Sequence, residues 1–249
     1  LIHSREVVIR ISNATVEIPL RGVKASATAE DTRIVRKPNG SLALRALDRV
    51  SLEVRRGERV GIIGGNGNGK TTLLKLIGGM LPAVEGVVEV RGSIRSLLTI
   101  GAGTVPALTG RQNVMMRYAL LGIKGISREE YISDVAEFAE LGAFFDMPIG
   151  TYSPGMQSRL QFAMSTVEPA DILLLDEWIG VADQAFQEKA NKRLEQYIEK
   201  NEGFLFASHN AELLKKMTNR TIELKNGKIA SDQALDEDPR VNIQKLNVV

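Results

Sequence analysis

Residues 64–72 read GGNGNGKTT, a run of glycine and asparagine closed by a lysine and two threonines. The run lies between an apolar pentapeptide, RVGII (59–63), and a second apolar stretch, LLKLIGG (73–79). Glycine and asparagine hold neither helix nor strand well, but they admit left-handed backbone angles and let successive main-chain N–H groups turn inward together. Such a concavity binds an anion, and the lysine points to phosphate. With a buried strand before it and a helix after it, the stretch from Gly64 to Thr71 satisfies G-x-x-x-x-G-K-[ST] in the context that motif requires. The nucleotide site is then Gly64, Gly65, Asn66, Gly67, Asn68, Gly69, Lys70, Thr71 and Thr72. Main-chain N–H groups and the helix N-terminus hold the phosphates, Lys70 neutralises the β and γ charges, and the Thr71 hydroxyl ligates Mg²⁺. The bland alternative is a glycine-rich loop with an accidental lysine.

Composition narrows the classes. A chain of 249 residues makes one large domain or two small ones, and 43% apolar content is ordinary for a globular core. The 32 basic and 30 acidic residues nearly cancel, so no global field draws the chain to nucleic acid, which is not expected as a partner. The absence of cysteine excludes a disulfide scaffold and a cysteine-ligated metal, and fits a reducing compartment. Two histidines, His3 and His209, are too few for a zinc site. No apolar run has the length of a membrane span, and LIHSREVVIR lacks a signal-peptide core, so a soluble chain is expected. It opens on Leu1 rather than methionine, and a few residues are expected to precede it. No Phe, Tyr or Trp occurs before Tyr118.

Alternating apolar residues in VVIRIS and TVEIPL read as two strands. Residues 22–44 are polar and turn-rich, an insertion or a long hairpin loop. LDRVSLEV, RVGII, GVVEVRG and SIRSLLTI read as strands, and TTLLKLIGGM as a helix closed by its glycines. From Thr109 the pattern is helical. TGRQ (109–112) and SREE (127–130) are capping boxes, each opening an amphipathic segment that ends near Gly122 and Gly142. A third helix follows YSPG. DILLLDE (171–177), a helix around QAFQEKANKRLEQYIEK, GFLFASH, a helix NAELLKKM and a hairpin turning on Asn226-Gly227 complete the chain. The class is α/β: a phosphate-loop NTPase core with a parallel sheet, an antiparallel β subdomain and an inserted helical subdomain at 103–168, in one domain over 1–249.

Within DILLLDE the apolar residues form a buried strand, and Asp176 emerges at its C-terminal end, where open α/β sheets bind ligands. Asp176 is placed to hold Mg²⁺ and Glu177 to activate a water. Alone, two acids after an apolar run more often mark a solvated strand end than a catalytic pair; beside a phosphate loop the balance reverses. In TYSPGMQSRLQFA (151–163), Ser153 is a good N-cap and Pro154 suits the first helical position, which presents a positive helix end to a phosphate. An ordinary capped amphipathic helix, with Met156, Leu160, Ala163 and Val167 on one face, is compatible with that.

YSPGM, shortly before an acidic strand, is similar to the Leu-Ser-Gly-Gly-Gln signature of the ATP-binding-cassette family. The resemblance covers nearly the whole chain. It implies ATP and Mg²⁺ as ligands and a homodimer in which Ser153, Gly155 and Met156 of one copy meet the ATP of the other. It also implies that Asp183 contacts the partner copy and that His209 is the switch histidine at the γ-phosphate. LTGRQNV (108–114) and DEWIGVADQAFQEK (176–189) resemble one branch, the ATPases of exporters for lipid-linked polysaccharides such as O-antigen, capsule and teichoic acid. That branch implies a membrane-spanning permease and a place at the cytoplasmic face of the bacterial inner membrane. A soluble mechanical ATPase, or a transporter of other cargo, stays open as the alternative.

Two departures stand out. The family's glutamine near the end of SLLTI is absent, with Thr99, Ile100 and Gly101 there instead. The aromatic residue on which adenine stacks is missing, and Ile18 is the aliphatic candidate to replace it. Longer members add a C-terminal sugar-binding domain, for which the tail after Ser231 is too short, so either a short type or a chain from which a separate piece has been removed is expected. In the helix opened by Thr109, Val114, Tyr118 and Leu121 share one face and are expected to pack inward, while Met116 and Leu120, with Met115 nearby, form a second. That second face is either buried within the domain or covered by the permease.

Overall fold

The structure, a computed structural model, describes residues 6–22, 32–97, 103–123, 125–168, 170–177 and 184–235. The chain divides into two compact units.

The first unit is built from two sheets. One is antiparallel, in the order β2 (Ile34–Arg36), β3 (Leu42–Arg55), β1 (Val7–Leu20), β5 (Glu85–Val90). VVIRIS and TVEIPL are not two strands but one, β1, which passes through Asn13 at φ 49° with a shift of register on either side. Asparagine tolerates that left-handed angle, so the strand bends without ending. β3 starts earlier than LDRVSLEV predicts. Its first residues, Leu42 to Leu44, pair with Ile34–Arg36, so the later part of the 22–44 stretch is a hairpin; residues 23–31 lie outside the described residues.

The second sheet is mixed: β10 (Lys228–Ala234), β9 (Arg220–Lys225), β4 (Arg59–Ile63), β8 (Gly203–Ala207), β7 (Ile172–Asp176), β6 (Ile94–Ser96). β9, β4, β8, β7 and β6 run parallel, and β10 closes the edge as an antiparallel hairpin through Asn226 and Gly227, at φ 51° and 76°. The interiors of β4, β7 and β8 are apolar and buried, as strands covered on both faces require, whereas β9 and β10 at the edge carry polar residues between apolar ones. Helix α1 (Lys70–Ile77) packs on strands of both sheets. Leu73 and Leu74 are fully buried beside Ile9, Leu47, Ile62, Leu174 and Leu205, in one continuous core. That core fixes the start of α1, and with it the glycine loop.

The second unit holds α2 (Gly110–Leu121), α3 (Arg128–Ala139), α4 (Pro154–Ser165) and α5 (Gln184–Glu199). The helical part is therefore not confined to 103–168, since α5 follows β7 in the chain. Phe138 stacks on Phe162 of α4 and meets Phe186 of α5 edge-on, and Arg193 of α5 pairs with Asp134 of α3. Both capping boxes form, Thr109 with Gln112 and Ser127 with Glu130. Gly122 ends α2 in a left-handed cap, and α3 ends on Glu140, also left-handed, shortly before Gly142. A helix last, α6 (Ala211–Met217), belongs to the first unit and is capped by Asn210.

Candidate functional site

β4 delivers the chain to Gly64, and Gly64, Gly67 and Gly69 all take positive φ. At two of them no other residue fits. A Cβ on Gly64 would come 2.4 Å from the Leu224 carbonyl oxygen, and one on Gly69 2.7 Å from that of Ala46. The loop is also tied from outside. Asn68 accepts the Asn226 amide on its side chain at 3.0 Å and the Gly227 amide on its main-chain carbonyl at 3.2 Å. Lys70 opens α1 with its side chain folded back: Nζ donates to the carbonyls of Gly64 at 2.7 Å and Gly65 at 3.3 Å. The ammonium is buried among carbonyl dipoles that an anion can replace.

The adjoining strands bring the acids. β7 ends at Asp176, whose carboxylate accepts the Thr71 hydroxyl at 2.5 Å. Glu177 follows at φ 63°, a left-handed angle that its N–H, bonded to the Ala207 carbonyl at 2.8 Å, helps to hold. Asp176 and Ala207 are partners across the β7–β8 ladder, so Glu177 lies beside Ser208 and His209. The His209 main-chain N–H donates to Glu177 Oε1 at 3.2 Å, and the His209 Nε2 lies 3.4 Å from the same oxygen. The Ser208 hydroxyl donates to Oε2 at 3.1 Å.

One cavity of about 310 Å³ collects these groups, lined by Asn66 to Thr72, Asp176, Glu177 and His209, with Ile18, Leu44 and Ala46. Gly64 and Gly65 are not in its lining; their carbonyls face Lys70 instead. Ile18 is 37% exposed and pairs with Leu44 across the β1–β3 ladder. Leu44 and Ala46 escaped the sequence reading, which ended the polar stretch at 44; the alternation of Leu42, Leu44 and Ala46 on one face of β3 is the signal that finds them.

The remaining expected residues lie elsewhere. Ser153 caps α4 by accepting the Met156 N–H at 3.2 Å, with Pro154 as the first helical residue. Gly155 and Met156 are half-buried, and all three belong to the second unit. Asp183 and the stretch Thr99 to Gly101 lie outside the described residues. On α2, Met115 is 37% and Leu120 75% exposed, whereas Met116 is half-buried. Val114 is buried and Tyr118 half-buried as expected, but Leu121, the last residue of α2, is 40% exposed.

The stretch LTGRQN has a structural account of its own. Gly110 leaves room for the Tyr152 hydroxyl, which a Cβ would approach to 2.5 Å. Arg111 binds Asp146 through Nε at 2.7 Å and Nη2 at 3.1 Å. Buried Asn113 ties the chain before α2 to the helix, accepting the Val105 N–H at 2.7 Å and donating to the carbonyls of Val105, Leu108 and Thr109.

A family model described as "ABC transporter" matches residues 47–180. The O-antigen export system ATP-binding protein RfbE of Yersinia enterocolitica is 44% identical over 188 residues, 76% of this chain and 79% of that protein. RfbB of Klebsiella pneumoniae, with the same description, is 36% identical over 230 residues, 90% of this chain and 92% of its own length. The teichoic acids export ATP-binding protein TagH of Enterococcus faecalis is 41% identical over 175 residues, of which this chain spans only 39% of the relative's length. A dimeric bacterial ABC transporter cassette superposes with a TM-score of 0.66 at 23% identity, covering 92% of this chain and all of that one. The match of the family model takes in the phosphate loop, the capped α4 and the acidic strand β7, more than half of the sequence, and this chain belongs to the ABC transporter family.

Proposed function

We propose that the chain is the ATP-hydrolysing subunit of an exporter that moves a lipid-linked, O-antigen-like polysaccharide across the bacterial inner membrane. It works as a homodimer at the cytoplasmic face, under a membrane-spanning permease. The observation that carries the chemistry is the single cavity shared by the phosphate loop, Asp176, Glu177 and His209. The export systems named for the relatives support the cargo class. Among the described residues no helix is long and apolar enough to cross a membrane.

The chain's own groups divide the work. Lys70 exchanges its loop carbonyls for phosphate oxygens, and the N–H groups at the start of α1 complete the cradle. Thr71 and Asp176 offer a hydroxyl and a carboxylate, the hard oxygen donors that Mg²⁺ accepts beside phosphates and waters. When bound, the ion supplies neutralising charge at the β- and γ-phosphates. Glu177 takes the proton of the attacking water, and His209, whose ring lies beside the Glu177 carboxylate, faces the γ-phosphate. Ile18, Leu44 and Ala46 give the base an aliphatic wall. In the dimer, the Ser153 hydroxyl, which uses a lone pair on Met156, keeps its proton for the phosphate held by the other copy. Asp183 is assigned to the contact between copies.

Glu177→Gln tests this. The amide keeps the shape but accepts no proton, so turnover falls by about 10²–10⁴-fold while ATP still binds. The variant elutes as a dimer from gel filtration in Mg-ATP. Hydrolysis near the wild-type rate would remove Glu177 from the reaction. Deleting the chain in its host should trap the lipid-linked polysaccharide inside; unchanged surface polysaccharide would overturn the export half.

A further inference from the structure

We infer that Ser208 is a positioning residue for ATP hydrolysis: its buried hydroxyl fixes the carboxylate of Glu177 in the orientation from which it takes a proton. The inference rests on the reading of Glu177 as the general base.

Ser208 is 3% exposed and lies at the end of β8, between the strand and α6. Its Oγ makes two contacts of opposite sense. It accepts the Asn210 main-chain N–H at 3.2 Å, and it donates to Glu177 Oε2 at 3.1 Å. A hydroxyl has one proton. With a lone pair engaged by Asn210 and no solvent to turn toward, that proton is directed at the carboxylate. The same Asn210 caps α6 through its side chain, accepting the Leu213 N–H at 3.0 Å, so the backbone that orients Ser208 is itself fixed by a helix start.

Glu177 has need of such a restraint. Its side chain is 48% exposed, and the last torsion of a glutamate is soft and two-fold. The His209 amide and ring both address Oε1. An anchor at Oε1 alone leaves the carboxylate free to pivot about that atom. Ser208 engages the second oxygen and stops the pivot, while Oε2 keeps a further lone pair for water. The left-handed backbone at Glu177, held by Ala207, completes a setting in which main chain and both oxygens are constrained by the end of a single strand, β8.

The test is steady-state phosphate release from Mg-ATP by the full-length chain. Ser208→Ala should lower kcat by about tenfold or more, the scale of a hydrogen bond to a charged group, with KM for ATP unchanged and the chain folded at the assay temperature, although loss of the bond to Asn210 lowers the melting temperature. Ser208→Thr retains the hydroxyl and should restore kcat. The double variant Glu177→Gln plus Ser208→Ala should be no slower than Glu177→Gln alone, because Ser208 acts through the group already lost. If the alanine variant unfolds, Ser208→Cys, similar in size but a weak donor, is measured in its place and should show the same loss. A wild-type kcat in the alanine variant, equal losses in the alanine and threonine variants, or a further tenfold loss in the double variant would each overturn the assignment. A wild-type rate for Glu177→Gln alone would instead overturn the base on which it rests.

Discussion

Ile18 shows how little of a binding site one side chain decides. The walls beside the phosphate loop are aliphatic, Ile18 from β1 with Leu44 and Ala46 from β3, and none of them offers a π-face to a purine. Affinity in the proposed site therefore comes from phosphate and metal contacts, which ATP and GTP share. Replacing Ile18 with Tyr supplies the missing face, and since it is 37% exposed the larger ring has room. Base stacking is worth about 1–3 kcal/mol in nucleic-acid complexes, so the variant should bind ATP at least about fivefold tighter by titration calorimetry. Unchanged affinity would place the base away from Ile18. The position of Ile18 was legible in the sequence only through the aromatic gap before Tyr118. Ser208 was not legible at all: a serine after an apolar strand carries no pattern, and its role depends on the pairing of β8 with β7, a contact between residues 31 apart.

Among the elements, α2 separates what periodicity reveals from what it leaves open. Its cap, its glycine end and its inward residue Val114 follow from spacing alone. The outward face does not, because a rotation of about 100°, one residue's step, decides whether Met115 or Met116 points away, and that depends on how α3 and α4 pack. The exposed apolar residues are Met115, Leu120 and Leu121, with Met116 set further in. In the proposed complex these exposed side chains are the ones the permease covers, and methionine adapts to a moving surface. Met115→Asp plus Leu120→Asp should leave folding and ATP affinity unchanged but abolish co-purification with the permease. A melting temperature lower by several degrees would show instead that these side chains are core. β1 teaches the converse. Its halves were each recognisable, but their union was not, since nothing short of the left-handed angle at Asn13 shows that an Asn-Ala pair bends a strand rather than ending it. Likewise the place of α5 with the earlier helices rests on the contacts of Phe186 and Arg193, made to residues far back in the chain.

At the scale of the whole molecule, acid stability has a definite direction. Asp171, just before β7, accepts the Ser93 N–H at 2.6 Å and its hydroxyl at 2.8 Å, and these bonds, the main-chain one first, hold its carboxyl below the usual carboxylate range. Asp48 is lowered chiefly by Lys228, and Glu17 chiefly by Lys37. A carboxyl depressed in the folded state stabilises fully above its unfolded value, about 3.9 for aspartate, and that contribution disappears as pH falls through the lower folded value. Asp171→Asn should therefore lower the urea midpoint at pH 7, and the gap to wild type should narrow as pH falls below the unfolded aspartate value of about 3.9. A gap constant from pH 7 to pH 2.5 would refute this.

The anchoring of Asn68 to the turn of the β9–β10 hairpin gives the loop a reporter. The amide protons of Asn226 and Gly227 are both donated to Asn68, and the Gly227 carbonyl in turn accepts the Asp48 N–H at 2.9 Å. Deuterium uptake at these two amides thus records how firmly the loop is seated, without a label and without turnover. Phosphates that order the loop should slow uptake at 226 and 227 on adding a non-hydrolysable ATP analogue, with Ile222 and Leu224, fully buried in the same hairpin, as an internal clock that does not change. Equal slowing at all four positions would mean that nucleotide tightens the sheet rather than the loop.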